Sequence, residues 1–256
     1  MSDPFFLEMV GRLADEITLR DYSVLLNKVI ATEPGWLERI IQSHRADGLL
    51  VIGQSTQHEA LNTVADAYRP MVIWGAQIPG QRYCTVGSDN IEGGRLAVAR
   101  LAARGRRRIA FLGAVDAPEA AQRFEGYRQG LDRAGIAFDP ALVVPTPYTM
   151  DEAGQAVAAF LARGVAFDAA FAFSDVIAVA AFGALKAAGR SVPDDVAVVG
   201  FDDVPLARHG APPLTTIRQD LRSGARAMVD LLFRRMAGED APSTLIPVEL
   251  VPRDSA

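Results

Sequence analysis

Residues 198–220 read VVGFDDVPLARHGAPPLTTIRQD, and this stretch decides the fold. The apolar run from Val196 to Phe201 stops abruptly on two adjacent carboxylates, Asp202 and Asp203. In an open α/β sheet the carboxyl end of a strand is where ligands sit. A proline-broken loop then leads into Leu214-Thr215-Thr216-Ile217, which reads as a short extended crossover. An acidic strand end followed by a crossover fits a ligand pocket closed between two lobes; the plainer reading is that Asp202 merely caps the next turn.

Outward from this segment, helical and strand patterns alternate along the chain. Phe6, Met9, Val10, Leu13, Ala14 and Ile17 share one helical face, Tyr22 to Val29 reads as a strand, and Trp36 to Ile41 marks a second helix. Further apolar strands are expected at Leu49–Ile52, Met71–Trp74, Ile109–Leu112, Leu142–Val144, Ala169–Phe173 and Ile246–Val251. Continuous apolar strands separated by helices imply parallel sheets covered on both faces. The alternation breaks near Arg104 to Arg108, at Thr215 to Asp220 and near Gly238 to Ser243. Three breaks predict an α/β protein of two doubly wound parallel-sheet lobes joined by three crossovers. One lobe is expected over 1–107 plus 219–241, the other over 108–218 plus 242–256. A doubly wound lobe normally begins with a strand, yet the first helical pattern starts almost at Met1. The first strand of the N-terminal lobe is therefore expected to be truncated.

A chain of 256 residues, 50% hydrophobic and 22% charged, can bury one large core or two medium ones. A net charge of −5 argues against a nucleic-acid surface on this segment. The dense basic run Arg104-Gly105-Arg106-Arg107-Arg108 reads instead as a helix end whose arginines complement the helix dipole. Cys84 is the only cysteine, which rules out an internal disulfide and allows a reducing compartment. No leader-like apolar segment and no bilayer-length apolar run is present, so a soluble cytoplasmic protein with no membrane partner is expected.

No catalytic pattern survives inspection. His44, His58 and His209 lack metal-ligand spacing, Ser174-Asp175 lacks a Gly-x-Ser-x-Gly elbow, and phosphate-loop and dinucleotide fingerprints are missing. Neither enzymatic activity nor a cofactor or metal is expected. Polar and aromatic residues do converge at strand ends and helix starts: Asp3, Phe5, Phe6, Trp74, Asp89, Arg123, Tyr148, Ser174 and Asp202. Carboxylates and an arginine interleaved with aromatic faces are the chemistry of sugar recognition. Each has a plainer role open to it: Phe6 and Trp74 as core, Asp89 as a helix cap, Arg123 as the partner of Glu125 or Asp116.

The chain resembles the effector-binding core of lactose/galactose-repressor family transcriptional regulators. The likeness runs from Asp3-Pro4-Phe5-Phe6 through Asp47-Gly48-Leu49-Leu50-Val51, Val86-Gly87-Ser88-Asp89-Asn90 and Arg123-Phe124-Glu125-Gly126-Tyr127. It is most specific in Gly200-Phe201-Asp202-Asp203 followed by Leu214-Thr215-Thr216-Ile217. The resemblance implies a periplasmic-binding-protein-like fold, a homodimer, and a small-molecule effector, a sugar above all, held between the lobes. It implies operator binding only through an N-terminal helix-turn-helix that is not in this sequence. It assigns effector contacts to Phe5, Phe6, Arg123 and Asp202, with Asp3, Trp74, Asp89, Tyr148 and Ser174 as neighbours. A solute-binding protein of a sugar transporter is the alternative, because the looser motifs are shared with that class.

Overall fold

The computed structural model describes residues 3–28, 35–53 and 57–256. The chain divides into two units, Met1–Ser88 with Asp220–Ile246 and Asp89–Gln219 with Pro247–Ala256.

In the first unit, α1 (Pro4–Thr18) starts where it does because the Asp3 carboxylate accepts a hydrogen bond from the Phe5 N–H at 2.9 Å and Pro4 takes the first helical position. The sheet is parallel, in the order β1 (Leu49–Ile52), β2 (Met71–Trp74), β3 (Cys84–Ser88), β9 (Thr244–Ile246). Alternate side chains of a strand point to opposite faces. Val72 and Trp74 accordingly pack with α1 and α9 (Leu221–Met236), against Met9, Leu13, Ala225 and Met228. Met71 and Ile73 pack on the other face with α2 (Trp36–Gln42) and α3 (His58–Ala65), against Leu37, Leu61 and Val64.

The strand expected from Tyr22 to Val29 is not seen. Tyr22 to Lys28 is irregular and Val29 lies outside the described residues. Strand backbone needs a ladder partner, and no strand among the described residues pairs with this segment, which leaves Tyr22, Val24, Leu25 and Leu26 exposed.

The second unit begins with α4 (Asn90–Ala103), then β4 (Ile109–Leu112), α5 (Pro118–Arg133), β5 (Val143–Val144), α6 (Met150–Ala162), β6 (Ala169–Ala172), α7 (Asp175–Ala187), β7 (Ala197–Asp202), α8 (Pro205–His209), β8 (Thr215–Gln219) and β10 (Val248–Val251). Its sheet order is β10-β8-β7-β6-β4-β5, parallel except for β10 against β8. The crossover expected at Leu214–Ile217 is thus an interior strand. The single strand expected over Ile246–Val251 is two strands belonging to different units, separated by Pro247, which has no N–H to give a ladder.

The chain passes between units three times, but the first passage differs from the expected one. It falls at Ser88–Asp89, before α4, not near Arg104. Backbone contact decides this: a Cβ on Gly94 would stand 2.4 Å from the Arg123 carbonyl oxygen, and one on Gly126 would stand 2.1 Å from the Ile91 carbonyl oxygen. Two glycines facing each other let α4 and α5 touch backbone to backbone and tie α4 to the second unit. The basic run after α4 closes loops within that unit. Arg106 donates to the carbonyls of Pro193 and Asp194, Arg107 to that of Ala134 at the end of α5, and Arg108 to that of Ala166.

Candidate ligand-binding site

Arg123 lies on the inward face of α5, 5% exposed. Its Nε donates to Asn90 Oδ1 at 2.8 Å and its Nη1 to the Phe173 carbonyl at 2.7 Å. Its guanidinium carbon sits 3.6 Å from the Phe201 ring centre and 4.4 Å from that of Phe173. The Asp202 carboxylate is 3.7 Å away. Burial pulls the Arg123 pKa down, opposed by the charge of Asp202 and then of Glu119. An arginine stays charged in a protein regardless, so the cluster holds a buried cation in place. Stacking on two desolvated rings contributes on the order of 2 kcal/mol toward that burial. Two of its five N–H groups are committed, one to Asn90 and one to the Phe173 carbonyl.

Asp202 and Asp203 are neighbours with different tasks. Both have left-handed backbone, φ 117° and 58°, a conformation non-glycine residues avoid and which clusters at functional sites. Asp202 accepts from Gln219 Nε2 at 2.6 Å. Asp203 turns onto three arginines: Arg218 Nε at 2.7 Å, Arg208 at 3.4 Å, and Arg253. Burial raises the Asp203 pKa, but hydrogen bonds from Arg253 and Arg218 outweigh it and leave the carboxyl lowered. The turn is fixed from below by Asp175, whose carboxylate accepts from Thr216 Oγ1 at 2.5 Å and the Val204 N–H at 2.9 Å. Burial, then the negative charge of Asp202, pushes the Asp175 carboxyl well above the usual carboxylate range.

Of the residues nominated from sequence, Arg123 and Asp202 meet directly. Tyr148 is half exposed and packs edge-on against Phe173 at 5.3 Å, which places it beside the same cluster. Asp89 caps α4 by accepting from Glu92 N at 2.9 Å, next to Asn90. Ser174 caps α7 by accepting from Ile177 N, immediately after Phe173. The other four belong to the first unit. Phe5 and Phe6 meet edge to face at 5.7 Å, and Phe5 lies 6.2 Å from Trp74. Trp74 is 5% exposed, its ring packed over Gly224 of α9, and Asp3 is the cap of α1. Asn90 and Gln219 were not nominated as site residues, although both lie within stretches quoted from the sequence. Strand alternation was the available signal for Gln219: along β8, Thr215, Ile217 and Gln219 share one face, opposite Thr216 and Arg218.

Two α/β units with a charged, aromatic-lined cluster at the strand ends of one of them define a periplasmic-binding-protein-like sensor. The family described as periplasmic binding protein-like domain matches residues 98–256. The chain is 35% identical over 254 residues to the HTH-type transcriptional regulator CelR of Thermobifida fusca, covering 98% of this chain and 74% of that protein. The structure of a transcriptional regulator CelR–cellobiose complex is similar at TM-score 0.89 and 32% identity, covering all of this chain and 80% of that one. A LacI-type transcription regulator from Bifidobacterium animalis subsp. lactis is similar at TM-score 0.87 and 30% identity, covering 100% and 96%. The chain belongs to the LacI, or lactose/galactose-repressor, family of transcriptional regulators. No helix among the described residues is long and apolar enough to cross a membrane.

Proposed function

We propose that this chain is the effector-sensing region of a cytoplasmic transcriptional repressor and binds a saccharide without altering it chemically. The observation that carries the reading is the Arg123–Asp202 pair, held between the rings of Phe173 and Phe201 at the carboxyl end of β7. An acceptor and a donor fixed side by side suit a hydroxyl, which both donates and accepts. The CelR relative was solved with cellobiose, which supports a saccharide as the ligand class. Regulator relatives favour this reading over a solute-binding partner of a transporter.

Asp202 and Asp203 do not form the paired acids that hydrolysis needs, because Asp203 is bound up by arginines. Homodimerisation and operator contact through a helix-turn-helix belong to the same proposal, supported by the HTH-type name of a relative of which this chain spans about three quarters. Coupling would follow if the effector binds one conformation more tightly and so shifts the population toward it. The test is a thermal-shift screen of neutral mono- and disaccharides, cellobiose first. A stabilising sugar is expected, and Arg123→Ala should abolish its effect; an undiminished shift in that variant would remove Arg123 from the site.

A further inference from the structure

We propose that the outer seam between α4 and α5 is a second ligand site, separate from the Arg123 cluster, that takes a small organic monocarboxylate with a compact apolar body. It does not depend on the saccharide reading and can fail or stand without it.

Tight packing along the line where the two helices touch leaves their outer seam unfilled. A Cβ on Gly94 would stand 2.8 Å from the Tyr127 nitrogen, and one on Gly130 would stand 2.7 Å from the Val98 side chain. The helices therefore run side by side in step, with 94 beside 126–127 and 98 beside 130. Beyond that line the seam receives almost nothing but small side chains: Ala99 and Ala102 from α4, Gly130 and Ala134 from α5, with Leu96 the one larger apolar group. They leave a trough of about 340 Å³. That is the small end of the range for small-molecule sites, and it suits a single ring or a short branched chain.

Charge sets the class of molecule. Arg95 and Glu92 of α4 and Arg133 of α5 border the trough. Glu92 is taken up by Arg95 Nη2, while Arg95 Nη1 reaches Gln129 Oε1 only at 3.4 Å. Arg95 Nε is shut away from water and has no hydrogen-bond partner among the described residues. A buried donor without an acceptor is costly. A carboxylate oxygen against Nε would complete a planar fork whose other prong already holds Glu92. Arg133, exposed in the last turn of α5, has no partner among the described residues. Two arginines against one glutamate leave a single positive charge unmatched, which fits a monoanion better than a dianion or a neutral molecule. The apolar body of that anion would cover the alanines and Leu96, taking their surface out of water.

The experiment is titration of the isotope-labelled chain with benzoate and with isovalerate, followed by amide NMR. Benzamide serves as the uncharged isostere, acetate as the carboxylate without a body, and phthalate as the dianion. At least one of the two monocarboxylates should saturate in the millimolar range or below, with its largest shifts at Ala99, Ala102 and Ala134. Benzoate should bind at least about tenfold more tightly than benzamide, as expected when a charge-assisted hydrogen bond is lost, and more tightly than acetate or phthalate. Arg133→Ala should weaken binding about tenfold and Arg133→Lys less. Ala99→Leu fills the trough from an exposed helical position and should abolish binding. Unchanged melting curves without ligand check that the variants fold. Failure of both monocarboxylates to saturate, shifts centred away from the seam, equal binding of benzamide, tighter binding of phthalate, or affinities that Arg133→Ala or Ala99→Leu leaves unmoved would overturn the proposal. None of these results bears on the saccharide reading, which the thermal-shift screen tests by itself.

Discussion

The two units furnish their strand ends in contrasting ways. In the second, Arg123, Asn90, Asp202 and Gln219 are polar groups bonded to one another within a shell of phenylalanine. In the first, Phe5, Phe6 and Trp74 lie ring against ring, and the only nominated polar residue, Asp3, caps a helix. One unit offers direction and charge, the other apolar faces. Recognition that depends on hydrogen-bond geometry should therefore respond to substitutions in the second unit. Substitutions in the first should be felt mainly through packing.

That contrast can be broken at several strengths. Trp74→Ala removes a buried ring stacked over Gly224 and should cost about 3–5 kcal/mol of stability, with no dependence on pH. Chemical denaturation at two pH values checks both halves of the statement. Gly126→Ala in the second unit should cost about 1–3 kcal/mol, because the new methyl meets the Ile91 carbonyl and α4 must move off α5. Since Asn90 on α4 holds Arg123, the same variant should also weaken ligand binding, which a purely packing account would not require.

The finest test separates two carboxylates of the second unit by sign. Asp203 has a lowered folded pKa, so its contribution to stability is present above the ordinary carboxylate range and lost as pH falls through the folded value. Asp203→Asn should accordingly flatten the loss of stability below about pH 4. Asp175 has a raised folded pKa, so stability drains away as pH climbs above the ordinary range. Asp175→Asn should gain on the wild type as pH rises from about 4 toward neutral. Melting temperatures across that range would expose the two opposite slopes, and parallel curves for the two variants would contradict the assignment.

Much of the fold was legible because period and composition report burial directly. The apolar run ending at Asp202 is a strand, and Asp202 with Arg123 does form the centre of the cluster. Other features depended on contacts between segments distant in sequence. The allegiance of α4 is set by Gly94 and Gly126, whose close approach only the folded chain reveals. Tyr22 to Lys28 has strand composition, but composition cannot supply a ladder partner. The split at Pro247 was readable, since proline interrupts a ladder wherever it stands. The division of labour between Asp202 and Asp203 was not, because it depends on a left-handed turn that aims adjacent side chains at different partners.

The most direct measurement is a crystal structure of the chain with the saccharide that stabilises it most. Hydroxyls bonded to both the Asp202 carboxylate and the Arg123 guanidinium, with the sugar intact, are the predicted result. A sugar bound elsewhere, with that pair still facing only its present protein neighbours, would contradict the account.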